Sequence, residues 1–419
     1  MSWARRAADF RDRTAGGIYA VAAAVLGLSA TTANAQVVQL PICTEIITIN
    51  CQIGGIIWIV PEVPAALGQV LGEDVADLDV LGLVYREAAA LSQLANTTAS
   101  VAFGLTQDVI SNVLDPAVAS QTFASPTPFG AASPGSASSL FMVSGYKHLS
   151  HDGYSVASNF GPAAGKSPGF DEDDYGLTLG TRFDGSELFG SEQGSFVFGV
   201  LGNYTHTDID VDVESLKLPG KLQDGSASID SWSVGGYGLF TDGTQYGLVT
   251  LTGTFGSPET ENALAATADY GTFGLAASAV GGVLVPVGSA KLDLRGGLSY
   301  LHASSDDHTD SLGSRYTDGR LEDLSGSLSA RLFSVVRAEN YTVRPFVQGG
   351  VNQRFHYENE ITVDDATFHF DDADTSVFGR AGIDFDVDQA IQAYLSVRGD
   401  ASEDVTAIAA QVGLTFKLD

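Results

Sequence analysis

The chain has 419 residues, 48 of them Gly, with only 2 Cys and 2 Met and a formal charge of −30. That balance argues against nucleic acid as a partner, because phosphate backbones are held by Lys and Arg clusters that this chain lacks. Two cysteines cannot build a structural zinc site alone, and no histidine pair stands near them at ligand spacing.

Residues 1–35 open with Arg5, Arg6, Arg11 and Arg13, continue in an apolar run from Ala15 to Ala30, and end on Ala33-Asn34-Ala35. This predicts a secretory signal peptide cut before Gln36, with an uncleaved anchor as the alternative. Residues 36–120 form a short N-terminal segment. Its Cys43 and Cys51 stand close together, and an oxidising compartment favours a small disulfide loop between them. After the apolar stretch Gly54 to Val60, the Ala/Leu-rich span Val63 to Leu114 sets Leu81, Val84, Ala88, Leu91, Leu94, Val101, Leu105 and Val109 near helical spacing. The segment is therefore expected to be mostly helical. Residues 121–138, rich in Ser, Pro, Ala and Gly, read as a flexible linker.

Residues 139–419 change character. Period-2 runs bounded by turn residues fall near Ser139–His148, Asp173–Phe183, Ser195–Thr207, Ser228–Phe240, Gln245–Phe255, Ala268–Val285, Ala290–His302, Leu324–Val336, Thr342–Tyr357, Ser376–Val387, Ile391–Arg398 and Val405–Leu418. Tight turns such as Thr241-Asp242-Gly243-Thr244 and Pro286-Val287-Gly288 alternate with long acidic connections such as Asp208–Ala227, Ala303–Asp323 and Glu358–Thr375. Short turns on one side and long loops on the other are the pattern of a membrane barrel with periplasmic and outer ends. Two hairpins depart from it: Asp184–Gly194 is long for a periplasmic turn, and the last outer loop, Gly399–Asp404, is short. The fold class is all-β: an antiparallel transmembrane β-barrel of about 12 strands, preceded by a short helical segment. A soluble β-sandwich is the competing reading, but it does not need loop lengths to alternate.

The two faces of each strand differ in kind. Along Val377 to Val387 the odd positions are apolar or small, while the even ones include Arg380, Asp384 and Asp386. Lipid outside and charge inside is the natural assignment. The same parity turns Arg182, Arg295, Arg344, Arg354 and Arg398 toward the lumen. A lumen lined this way can hold water or a polar segment, and Glu87 and Asp108 of the helical span are available as partners.

Catalytic and cofactor motifs are weak. Gly161-Pro162-Ala163-Ala164-Gly165-Lys166-Ser167 has three residues between its glycines where a phosphate-binding loop needs four. Asp208, Asp210, Asp212 and Glu214 alternate along one face, but Val213 stands where a calcium hand needs its turn-making Gly. Asp306, Asp307, His308 and Asp310 crowd another loop; both clusters read as solvated loop tips. The seven His are scattered, with neither a nucleophile elbow nor a His-Glu-x-x-His helix. The expectation is a protein without catalytic, cofactor or metal residues, and not an enzyme.

Three stretches resemble the translocator barrel of autotransporters, the type V secretion proteins: Arg344-Pro345-Phe346-Val347-Gln348-Gly349-Gly350, Phe378-Gly379-Arg380-Ala381-Gly382, and the ending Gln411-Val412-Gly413-Leu414-Thr415-Phe416-Lys417-Leu418. The ending is similar to the signal by which outer-membrane barrels are recognised for insertion, with Gly413, Phe416 and Leu418 at the matching positions. It departs at Asp419, where an aromatic is usual. The run Ala88-Ala89-Ala90-Leu91-Ser92-Gln93-Leu94-Ala95 is similar to the helical segment preceding many such barrels. The resemblance implies the outer membrane of a Gram-negative bacterium, with outer-membrane lipids and the barrel-assembly machinery as partners. It further implies a barrel that translocates or anchors the short N-terminal segment. The alternatives are a stand-alone surface barrel acting as an adhesin or structural protein through an unidentified surface ligand, and a porin. The segment is too short for a sizeable β-helical passenger, and no tandem Asn pair marks a self-cleavage junction.

Overall fold

The computed structural model describes residues 50–53, 56–59, 82–94, 96, 104, 138–185, 195–212, 223–242, 244–337, 341–386 and 391–418. Twelve long strands form one antiparallel sheet. They are β1 (Ser138–His151), β2 (Gly169–Asp184), β3 (Ser195–Asp212), β4 (Gly225–Thr241), β5 (Gln245–Glu261), β6 (Thr272–Val287), β7 (Ala290–Ser305), β8 (Arg315–Ser334), β9 (Thr342–Val363), β10 (Thr375–Asp386), β11 (Ile391–Ala401) and β12 (Val405–Leu418). Each pairs with its sequence neighbours. The last pairs with the first, from Val405 opposite His151 to Leu418 opposite Ser138, and closes the barrel. Closure leaves no unpaired edge, the condition for β-structure in lipid. Ser138 and Leu418 share one end, the periplasmic end of the sequence reading; the other is the outer end.

The alternation that forms these strands also sets the barrel's lipid face. Val234, Leu251, Leu298, Leu328, Val347 and Val412 point outward, each more than half exposed. Two aromatic rows bound this apolar band. Tyr146, Tyr175, Trp232, Phe255, Phe273, Tyr300 and Phe355 lie toward the outer end, and Phe240 and Phe416 toward the periplasmic end. On β4, Trp232 and Phe240 are eight residues apart, about 26 Å along the strand. Strand tilt reduces that to roughly 20 Å across the membrane, close to the ~25 Å apolar band of outer-membrane barrels.

Several strands run further outward than the alternation predicts: β2 starts at Gly169, β3 continues to Asp212, β8 starts at Arg315 and β9 reaches Val363. Beyond the outer aromatic row both faces can be polar, so residues such as Asp171, Asp208 and Asp210 look like loop while their backbones stay in the ladder. Ser155–Ser158, in the β1–β2 connection, pairs with Ala366–Asp371, in the β9–β10 connection, at Phe368↔Ser158 through Asp371↔Ser155. Above the membrane the wall thus closes without β10, β11, β12 and the end of β1. This bypass accounts for the short last outer loop, because the β11–β12 hairpin has no extension to join. Lys166 ties the two levels together through a 3.2 Å ion pair with Asp404.

Two smaller elements precede the barrel. Asn50–Ile53 and Ile56–Ile59 form an antiparallel hairpin, so the N-terminal segment expected to be mostly helical also contains strand. Its helix, α1, spans residues 82–94, with Asn96 and Gly104 also helical.

Candidate functional site

Helix α1 has no solvent face. Val84, Tyr85, Glu87, Ala89, Leu91, Gln93 and Leu94 are all buried, and only Arg86 is partly accessible. An isolated helix of this length is marginal in water, and burial on all sides is what sustains it. The burial comes from the inside of the barrel's outer extension, where α1 packs with Phe160, Phe170, Ile229, Tyr316, Phe368 and Phe370 in one apolar cluster. The rings of Tyr85 and Phe160 meet edge to face at 6.4 Å.

Polar side chains on α1 are gripped by outer hairpins far away in sequence. Tyr85 Oη donates to Asp364 Oδ2 at 2.8 Å, Arg86 donates to the Ala164 carbonyl at 2.8 Å, and Gln93 donates to the Glu360 carbonyl. Tyr270 Oη donates to the Ser92 carbonyl at 3.0 Å. Asp364 is the tip of the β9 hairpin, held at φ 53°. Burial pushes its carboxyl up, and burial with the nearby Asp364 pushes the Tyr85 phenol up, so the phenol remains the donor. Glycine sets two close approaches. A Cβ on Gly82 would lie 2.3 Å from the backbone of Pro162, and one on Gly225 would lie 2.4 Å from Glu87 Oε1. Glu87 accepts the backbone N–H of Ala263, at 3.3 Å from each oxygen, and burial pushes its carboxyl up to about 8.

Below the helix lies a polar tier around a cavity of about 430 Å³, lined by Lys147, His151, Glu172, Arg354, Asp372 and Arg398, with Gly104 at its edge. Lys147 pairs with Glu172 at 3.0 Å and Arg398 with Asp400 at 2.7 Å. Arg354 bridges Asp323 at 3.0 Å and Asp372 at 3.3 Å. Toward the periplasmic end the inward side chains become apolar: Phe141, Leu201, Tyr237, Leu248, Phe333 and Tyr394 are buried together. Arg331, fully buried, lies 4.0 Å from the centre of the Phe346 ring and 3.3 Å from Asp384.

The sequence-derived arginines therefore occupy two levels. Arg354 and Arg398 line the polar tier. Arg295 pairs with Asp293, Arg344 with Asp386, and Arg380 donates to Ser396 Oγ at 3.0 Å while stacking over Phe346. Arg182 is half-buried on β2 beside Tyr237. Tyr237 and Tyr246, with Leu239 and Leu248, form an aromatic layer on the inward parity of the lower lumen, beside the arginine pairs; alternation reveals facing but not depth. Arg295, Arg344, Arg354 and Arg398 pair with wall carboxylates and Arg380 with Ser396, while Glu87 accepts from a backbone N–H. Asp108 lies outside the described residues. Arg331 was missed, although its parity opposite Leu328 and Leu332 on β8 is the same signal that marked the others.

Other marked residues have different surroundings. On β12, Phe416 points outward, and Gly413 admits the Tyr394 ring, which a Cβ there would meet at 2.0 Å; Leu418 pairs with Ser138. Cys51 stands opposite Trp58 in the hairpin, while Cys43, residues 1–35 and residues 121–137 lie outside the described residues, as does Glu214. The glycine-rich Gly161–Ser167 stretch holds α1 through the Ala164 carbonyl. Asp208, Asp210 and Asp212 are exposed along β3, and Asp310 accepts the backbone N–H groups of Leu312 and Ser314, each at 2.9 Å. Asp306 and Asp307 precede His308, whose ring stacks between Tyr270 and Tyr316.

Residues 155–398, more than half of the chain, match the family model of the autotransporter beta-domain. The barrel is similar to the beta domain of the Bordetella autotransporter BrkA (19% identity, 67% of this chain and 100% of that one, TM-score 0.51). It is similar to the transport unit of AIDA-I from Escherichia coli (16%, 72% and 97%, 0.53) and to the translocator domain of NalP from Neisseria meningitidis (13%, 77% and 99%, 0.52). A comparison with curated protein sequences found no match.

Proposed function

The chain belongs to the autotransporter beta-domain family, and we propose that its barrel delivers the short N-terminal segment to the outer face and then anchors it there through α1. The observation that carries this reading is the order of three described residues from the outer end to the periplasmic end. Gly82 packs against Pro162 in the outer cap, Gly104 borders the polar tier midway, and Ser138 starts β1 at the periplasmic end. That order supports export of the residues before α1 toward the outer end.

The setting is the outer membrane of a Gram-negative bacterium, with lipid around the apolar band and the assembly machinery reading β12. Catalysis is not required. The buried helix and the aromatic layer disfavour a porin, since both occupy space that a diffusing solute would need. A surface ligand would be met by the exported segment or by the acidic outer hairpins. An epitope inserted in residues 61–80 tests the reading. Antibody should label it on intact cells, whereas labelling only after the outer membrane is permeabilised would overturn export.

A further inference from the structure

Where β7, β8 and β9 pass the outer aromatic row, four metal-ligating side chains converge on the outward face. Glu322 stands opposite His302 on one side and Glu358 on the other, and His356 is two residues from Glu358 on the same strand. The ligand atoms of Glu322, His356 and Glu358 all lie within 4.8 Å of one another, a grouping that stands alone among the described residues. His302 Nδ1 lies 3.4 Å from Glu322 Oε1.

We propose that Glu322, His356 and Glu358 form a binding site for a divalent cation of the zinc class, with His302 positioning Glu322. The donor set selects the ion. One imidazole with two carboxylates suits a borderline metal, whereas calcium takes six to eight oxygens and magnesium a full octahedron of them. Two ligands at ~2.1 Å from one zinc are about 3.4 Å apart, so shifts on the order of an ångström bring the three atoms into range. Ladder hydrogen bonds on three adjacent strands fix the backbones, and half-exposed side chains can make that adjustment. The competing cation is Arg320, which contacts Glu358 and also Glu360 at 2.8 Å. Metal entry leaves Arg320 with Glu360, so no charge is orphaned. A formal charge of −30 on the chain raises the local concentration of cations near such a site. The outward position leaves at least one coordination place open to water.

Untagged full-length protein in detergent, stripped with chelator, is titrated with Zn²⁺ by calorimetry and with Co²⁺ by visible absorption. One equivalent should bind, with a Co²⁺ spectrum of mixed nitrogen and oxygen ligation. H356A and E322Q should abolish binding, and H302A should weaken it about 10–100-fold, as loss of a positioning partner does. Heat-modifiable mobility shows that each variant has folded. In the wild type, independently of any variant, Zn²⁺ should protect His356 from an imidazole-acylating reagent. Absence of saturable binding, equal binding in folded H356A, or unprotected His356 would each overturn the site.

Discussion

Tyr85, on a helix before the barrel, donates its hydroxyl to Asp364 at the tip of the β9 hairpin, 279 residues later in the chain. The bond joins the barrel's content to the part of its wall that stands beyond the membrane. Removing the donor leaves a carboxylate that burial already disfavours. Y85F should therefore weaken helix docking by about 1–3 kcal/mol. Hydrogen exchange in residues 82–94 should speed up by one to two orders of magnitude while exchange in β11 and β12 is unchanged. Equal exchange in both proteins would mean the bond does not hold the helix.

Close approach gives a steric test. The backbone of Pro162 occupies the place a side chain at Gly82 would need, and backbone cannot yield as a flexible side chain can. G82V should loosen the first turn of α1 and raise protease sensitivity there, with the barrel still heat-modifiable. Unchanged protection of that turn would contradict the packing described.

Glu87 gives a pH dependence whose sign follows from burial. Its ordinary value is 4.5 and burial raises it to about 8. Undocked, it ionises above about 4.5; docked, it keeps its proton until about 8. Docking is therefore strongest below 4.5, weakens as pH rises toward 8, and levels off beyond. E87Q should match the wild type at low pH and exchange more slowly than it near pH 8. Parallel pH profiles for the two proteins would rule out Glu87 as the source.

Strand β12 pairs along its whole length with β1. Phe416 lies outward near the periplasmic boundary of the apolar band. F416K puts a charge in or near lipid, at a cost of up to about 2–4 kcal/mol at the midplane and less near the interface. The yield of heat-modifiable barrel should fall. Full yield would show that insertion does not depend on this residue.

Arg331 and Asp384 form a buried pair, and neutralising the carboxylate partner of a buried cation is costly. D384N should lower stability by about 3–5 kcal/mol, measured as an earlier urea midpoint for unfolding in lipid vesicles. A midpoint equal to the wild type would show that the aromatic layer alone carries this region.

Strand number, pairing order and facing were legible in the sequence, because a lipid face beside an inward face leaves a period-2 trace such as Val377 to Asp386. The outward extensions were not, since Asp171 and Asp210 sit where no lipid enforces alternation. Helical character at Ala88 to Leu94 was visible, and so was a segment available to fill the lumen. What could not be read is its depth and its grip: Tyr85, Glu87 and Gln93 find partners in hairpin tips whose position depends on the closed sheet. Arg331 was legible by parity, but its ring neighbours, Phe333 and Phe346, come together only when β8 and β9 pair.

The central claim is that α1 lies inside the outer end of the lumen, and proximity of Glu87 to Gly225 tests it most directly. Cysteines at these two positions, in a chain with Cys43→Ser and Cys51→Ser, should form a disulfide in intact cells under mild oxidant. The product is read as a reducible mobility shift after denaturation. Efficient cross-linking is the predicted result, and a control pair of Glu87 with outward-facing Val234 should give none. No Glu87–Gly225 cross-link in correctly folded barrel, with both thiols open to a membrane-impermeant maleimide, would contradict the account.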